Sequence, residues 1–209
     1  MHFLVLLLVS TSFVIITGIY ITVIILREGI PHNRAHSETC HLAVFLGSGG
    51  HSSEALSLMS ALDFSRYTPR TYFVSEGDPL SEQKAVALER LKAASTCPEA
   101  PIGGYQVLTL PRAREVHQNI LTVPFTAFRS LMAAVYHVTL SPWLHDSTSS
   151  FDVLLLNGPG TCVILCLASY VNRLLGLSSP RLVYVETFAR VRTLSLTGKC
   201  VVALLTLST

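Results

Sequence analysis

Charge is what this sequence has little of. Of its 209 residues, 15 are Lys or Arg and 13 are Asp or Glu, 13% in all, with a net charge of +2 at neutral pH. A freely soluble domain usually carries about 25% charged residues, so free solubility is not expected. No basic block occurs, which removes the electrostatic footprint of a nucleic-acid-binding protein. Aromatic residues are also sparse at 8%, and no repeat period is visible. Disorder is excluded, because it requires low hydrophobicity and high net charge, whereas 50% of this chain is hydrophobic and its mean hydropathy is +0.50. The cysteines are five, an odd number without the spacing of a disulfide framework. Cys162 and Cys166 stand four apart on an expected helix, but no second Cys/His pair accompanies them, so they read as apolar core residues and no metal is expected. No N-x-S/T acceptor is present.

What is abundant is one uncharged run. Phe3–Leu26 is 24 residues without a charge, 18 of them apolar. As a helix it would extend roughly 36 Å at about 1.5 Å per residue, enough to cross a bilayer with some tilt. A cleaved signal peptide would need a basic start, a shorter apolar core and a small-residue cleavage site. Only Met1 and His2 precede Phe3, and no A-x-A pattern precedes Arg27, so a retained anchor is the preferred reading. Arg27 and Arg34 follow the span and no Lys or Arg precedes it, which favours a cytosolic C-terminal part. The expected organisation is an anchor over 1–28, a linker over 29–40 and one domain over 41–209.

Within that domain, strand-like and helix-like runs alternate. Strands are expected at His41–Leu46, Thr71–Val74, Tyr105–Leu110, Asp152–Leu156 and Arg181–Val185. Helices are expected at Ser53–Leu62, Ser81–Ala94, Phe125–Leu140 and Cys162–Leu175, and Leu194–Leu207 resists assignment. This alternation argues for an α/β fold with a doubly wound parallel sheet, in which ligands sit beyond the carboxyl ends of the strands.

The chain puts its unusual residues at those ends. The first strand runs into Gly47-Ser48-Gly49-Gly50-His51-Ser52-Ser53-Glu54. Glycines there let backbone N–H groups approach a phosphate, the following helix N-terminus adds its dipole, and Ser52 or Ser53 is expected to cap it. No Lys-Ser/Thr follows, so it is not a Walker loop. Ser52 occupies the third glycine position of a dinucleotide fingerprint, although Glu76 stands where the ribose-binding acid would be. A tight turn needing positive φ is the plainer reading; a diphosphate-facing loop is preferred. Asn157-Gly158-Pro159-Gly160-Thr161 repeats the glycine turn after the fourth strand. Glu186 follows the fifth. After the third come Arg112 and Arg114, suited either to a phosphate or to exposed pairing with Glu115.

GSGGHSSE, PRAREVHQ, LLLNGPGTC and VYVETFARVRTLSLTGK, in that order behind one N-terminal span, resemble a known family. It comprises the membrane-anchoring subunits of the two-subunit UDP-N-acetylglucosamine transferase of the dolichol pathway. The match extends from about Leu42 to Lys199. The resemblance implies half of a GT-B fold, similar to the bacterial MurG enzyme, with a Rossmann-like acceptor-binding domain. It implies a cytosolic partner subunit that binds UDP-GlcNAc, location at the cytosolic face of the endoplasmic reticulum membrane, and transfer of the second, β1,4-linked GlcNAc to GlcNAc-diphosphate-dolichol. No cofactor is implied. Gly47, Ser48, Gly49, Gly50, Arg112, Arg114, Asn157, Gly158 and Gly160 are then expected around the acceptor diphosphate, with His51 or Glu186 as the base that deprotonates the acceptor hydroxyl. Imidazole suits that task near pH 7, and an anion-binding or structural His51 stays open beside it.

Two departures from the family are visible. Ile164 stands where proline is common. The family also continues past the Ser-x-Thr-Gly-Lys stretch to a tail that contacts the partner, so this sequence, ending at Thr209, is expected to be a truncated or alternatively spliced product. A recruitment scaffold without catalytic residues is the alternative function, and a nucleotide-binding membrane protein a third. Beyond the first 26 residues, 28 charges spread over 183 positions still make only about 15%. Ile120–Leu144 holds only Arg129, Val153–Leu177 only Arg173, and Thr193–Thr209 only Lys199. Part of this apolar surface is therefore expected to meet a bilayer and a partner.

Overall fold

Leu42–Leu46 (β1) is buried at every position. A strand with one solvated face alternates, so continuous burial means that both faces of the sheet are covered. The computed structural model, which describes residues 11–20, 39–95, 104–115, 118–144, 151–158, 160–188 and 194–206, has this arrangement. Ala43 and Phe45 face one apolar cluster, with Phe73, Leu154, Leu156, Cys162 and Cys166. Leu42, Val44 and Leu46 face another, with Ala55, Met59, Tyr72 and Ala85. The side-chain period of two along each strand divides the two cores.

The other strands are Arg70–Ser75 (β2), Tyr105–Leu110 (β3), Val153–Asn157 (β4) and Arg181–Val185 (β5). They form one sheet in the order β3-β2-β1-β4-β5, and every adjacent pair is parallel. The α/β parallel sheet is the expected one, with a Rossmann-like order. The chain winds outward from β1 to β3, then crosses back to β4, so the switch point lies between β1 and β4. Residues 11–20 form a helix (α1). Gly50–Ser60 (α2) and Pro79–Ser95 (α3) pack on one face of the sheet. Val123–Val135 (α4), Thr161–Leu174 (α6) and Leu196–Thr206 (α7) contribute to the other, and Ser141–Leu144 (α5) is a single turn.

Three elements differ from expectation. The helix expected over Phe125–Leu140 starts earlier, with Pro124 in its first turn where a missing N–H costs nothing. It then widens into a π-helical stretch, Tyr136–Leu140, before α5. Buried Asn172 of α6 inserts its amide there: Nδ2 donates to the Val138 carbonyl at 3.3 Å and Oδ1 accepts from Thr139 Oγ1. α2 begins at Gly50 rather than Ser53, and neither serine caps it. Ser52 instead points inward and donates to the Gly47 carbonyl, beside Ser81 Oγ. The unassigned C-terminal stretch is helical, and Gly198 N–H donates to Ser195 Oγ at its start. Cys162 and Cys166 are core residues; burial pushes the Cys162 thiol well up and that of Cys166 to about 12. Among the described residues no group of metal-ligating side chains occurs.

Of the Phe3–Leu26 run only 11–20 are described, with Phe13, Ile16 and Tyr20 exposed. Among the described residues no helix is long and apolar enough to cross a membrane. Arg27, Arg34 and most of the expected linker lie outside the described residues, as do Val116, His117, Pro159 and residues 189–193.

At the amino end of the sheet Arg70 is wholly buried. Its Nε and Nη2 donate to the two carboxylate oxygens of Glu89 at 2.7 and 3.0 Å, and Nη1 donates to the carbonyls of Phe64 and Tyr67. Tyr72 donates its hydroxyl to Glu89 Oε1 at 2.7 Å, and burial with this bond pushes the phenol pKa upward. Removing one partner of a buried pair strands the other charge, at a cost of about 3–5 kcal/mol. Glu89→Leu is therefore expected to destabilise the domain by that amount in thermal or denaturant unfolding. Glu82→Ala, at an exposed position of the same helix, is expected to change stability by less than about 1 kcal/mol. Equal effects of the two would disprove the assignment.

Candidate functional site

Two glycine turns touch at the switch point. Gly47 N–H donates to the Asn157 carbonyl at 3.3 Å. A Cβ on Gly47 would stand 2.9 Å from that oxygen and 3.0 Å from Gly158 Cα, and one on Gly158 would stand 3.0 Å from Gly47 Cα. Gly158 also has φ +138°, and Gly49, ahead of α2, has φ +70°, regions that favour glycine. The loops after β1 and β4 thus meet backbone to backbone. Ser48, Gly49 and Gly50 lie exposed above the contact, Gly160 precedes α6 in the same exposed rim, and Gly158 is buried beneath. The N-termini of α2 and α6 both open from these turns, so uncompensated N–H groups and two helix dipoles favour an anion there.

His51, in the first turn of α2, stands beside the contact with its side chain 31% exposed. Its Nδ1 lies 3.0 Å from Asn157 Oδ1. Asn157 is wholly buried, and its Nδ2 donates to Glu54 Oε2 at 3.3 Å. Glu54 Oε2 is 3.8 Å from His51 Nδ1, while Oε1 accepts from Thr187 Oγ1 at 2.7 Å and from the Phe188 N–H at 3.1 Å. Burial alone would raise the Glu54 pKa; the bonds from Thr187, Asn157 and Phe188, with the attraction of His51, outweigh it and hold it below the usual range. Its contribution to holding these loops is complete above the unfolded glutamate's pKa and fades as the pH falls through the lower folded value.

The other expected site residues lie on the same rim in different settings. Glu186 follows β5, and its Oε2 accepts from the N–H and hydroxyl of Ser195 at 3.0 and 2.9 Å, so the carboxylate steadies the start of α7. Arg112 borders a pocket of about 110 Å³ lined by Glu76, Gly77, Pro111, Glu115, Thr126 and Arg129. Its Nε donates to the Glu76 carbonyl at 3.1 Å, and Arg129 pairs with the Glu76 carboxylate at 3.4 Å, so Glu76 is engaged with an arginine. Arg114 is exposed. The structure thus gathers Gly47, His51, Asn157 and Gly158 into one cluster and sets Arg112 and Arg114 beyond β3. Sequence reasoning gave Glu54 and Thr187 no role. Glu54 had a signal, since an acid three residues after His51 on a helix lies on the same face. Thr187 had none, its partner being 133 residues away.

Beyond the geometry stands a family match: the model described as "Oligosaccharide biosynthesis protein Alg14 like" covers residues 42–207, the whole parallel sheet included. The chain belongs to the Alg14 family. A relative from Cryptococcus neoformans, "UDP-N-acetylglucosamine transferase subunit ALG14", is 44% identical over 169 residues, 80% of this chain and 72% of the relative. The proteins of that name from Schizosaccharomyces pombe and Mus musculus are 40% identical (83% of this chain, 76% of theirs) and 37% identical (81% and 74%). No solved structure matches the chain. In this Alg14-family domain the two glycine turns of the chain meet where the loops after β1 and β4 come into backbone contact.

That approach makes a prediction about stability. Gly47→Ala must separate the two turns or shift His51, whose Cβ is also 3.0 Å from the added atom, and is expected to cost about 1–3 kcal/mol. Gly50→Ala meets open space at an ordinary helical position and is expected to be neutral or slightly stabilising. Thermal midpoints of the two variants test the contrast, and a fully stable Gly47→Ala would refute the tight approach.

Proposed function

We propose that this chain is the membrane-anchoring, acceptor-binding subunit of a UDP-N-acetylglucosamine transferase. The pair adds the second GlcNAc, in β1,4 linkage, to GlcNAc-diphosphate-dolichol at the cytosolic face of the endoplasmic reticulum. In this reading residues 1–28 are a single membrane span, 29–40 a linker and 41–209 the acceptor domain. A cytosolic partner subunit holds most of UDP-GlcNAc. The observation that carries the reading is the meeting of two glycine turns at the β1/β4 switch point with His51 beside them. In doubly wound sheets ligands bind at that point, and two helix N-termini there favour a diphosphate. The names of the relatives and the charge-free Phe3–Leu26 run support the subunit and membrane parts. So does an apolar stripe from the turn before α4 towards α5, where Leu121, Phe125, Phe128, Met132, Tyr136 and Leu140 are exposed, the kind of surface that marks a partner or membrane contact.

The chemistry follows from the cluster. The acceptor sugar's hydroxyl oxygen forms a bond to the anomeric carbon of the donor as the bond from that carbon to the diphosphate breaks, and UDP leaves with the electron pair. The hydroxyl proton passes to His51, whose Nδ1 is engaged by Asn157 and whose Nε2 is left for substrate. Backbone N–H groups of Gly49 and Gly50 face the acceptor diphosphate, with Arg112 and Arg114 toward its outer side. Glu186, the other candidate base, already accepts two bonds from Ser195, which favours His51.

His51→Ala is expected to lower transfer of labelled GlcNAc to GlcNAc-diphosphate-lipid by about 10²–10⁴-fold in the reconstituted pair. Co-purification with the partner and sedimentation with membranes should be unchanged. Wild-type turnover would reduce the chain to a recruitment scaffold.

A further inference from the structure

Glu54 joins the three strand-end loops around His51, yet it faces His51 largely through another residue. Its Oε1 is committed, because the Phe188 N–H, which can only donate, lies 3.1 Å away with Thr187 Oγ1 at 2.7 Å. Oε2 is then the atom that meets the Asn157 amide, at 3.3 Å. A carboxylate oxygen only accepts, so the amide must turn its NH₂ toward Glu54 and its carbonyl toward His51. That carbonyl, Oδ1, lies 3.0 Å from His51 Nδ1 and also only accepts, so Nδ1 must carry a proton. Each step is dictated by donor and acceptor chemistry, which also fixes the orientation of the amide.

We infer that Glu54 is a positioning residue: through Asn157, its carboxylate fixes His51 in the tautomer with Nδ1 protonated and Nε2 free to take a proton. The importance of this for transfer rests on the reading of His51 as the base. The tautomer itself does not. Glu54 Oε2, 3.8 Å from the imidazole, also stands where it stabilises the positive charge that appears when Nε2 accepts the hydroxyl proton. Asn157 serves two purposes in one residue, since its backbone carbonyl accepts from Gly47 while its side chain orients His51.

The isosteric variant Glu54→Gln tests the relay sharply. The donor-only Phe188 N–H requires the carbonyl of the new amide at the Oε1 position, which puts NH₂ at the Oε2 position. Asn157 must then reverse, presenting its own NH₂ to His51 Nδ1, which becomes an acceptor. In the full chain, labelled with ¹⁵N at histidine and reconstituted with its partner, ¹H–¹⁵N correlation spectra assigned with His51→Gln read the tautomer directly. The expected result is Nδ1–H in the natural chain and Nε2–H in Glu54→Gln, with kcat reduced at least about tenfold and KM for the lipid acceptor little changed. The exchanged pair Glu54→Gln/Asn157→Asp restores an acceptor opposite both groups. It is expected to recover the Nδ1–H spectrum and to turn over faster than either single variant, an outcome that loss of packing alone does not produce. An Nδ1–H spectrum in Glu54→Gln, or an exchanged pair no better than its worse parent, overturns the inference. If the tautomer switches and turnover does not change, the positioning by Glu54 stands and the base reading of His51 falls.

Discussion

The constraint on which the site depends is the approach of two backbones at the switch point, Gly47 against Asn157 and Gly158. Strands β1 and β4 pair along their whole length, Leu42 with Val153 through Leu46 with Asn157, so the turns that follow leave the sheet side by side. Two side chains cannot occupy the space between them. Because neither residue has one, the loops stay in contact, α2 and α6 start from adjacent points, and His51 comes to lie over Asn157. The anion-favouring rim and the hydrogen-bonded cluster are both consequences of that contact.

The two ends of the sheet use charge differently. At the amino end Arg70 and Glu89 pair through two parallel bonds, with Tyr72 donating to the carboxylate and two carbonyls accepting from the guanidinium. This pair is buried away from solvent and holds the fold. At the carboxyl end Glu54 is shared among Thr187, Phe188, Asn157 and His51, and the imidazole it faces remains partly exposed. Glu89 and Glu54 thus serve different ends, the first holding the fold and the second arranging a side chain that meets solvent.

Much of the fold was legible from periodicity. The strands Tyr105–Leu110 and Arg181–Val185 fall where the apolar, β-branched runs put them, and the alternation of strand and helix implied a parallel sheet before any pairing was known. The glycine turns, too, were visible as strand-end loops. What escaped was decided by partners distant in the chain. The π-helical stretch at Tyr136–Leu140 forms where Asn172 bonds to Val138 and Thr139, more than thirty residues earlier. Ser52 has the composition of a helix cap, yet is drawn inward by the Gly47 carbonyl and Ser81. Glu89 sits in a helix rich in Ala, Glu and Lys and looks like a solvated residue until Arg70 is found beneath it.

By itself the sequence determined the layers, the position of the glycine turns, the apolar excess and the family, because these depend on local pattern and on residue order. Only the tertiary structure decided which strand-end groups act together. His51, Glu54, Asn157 and Thr187 span 137 positions of the chain, and donor and acceptor geometry acts over about 3 Å. Until the sheet order β3-β2-β1-β4-β5 brings β1, β4 and β5 side by side, nothing in the residue order indicates that Asn157 and Thr187 join Glu54 beside His51.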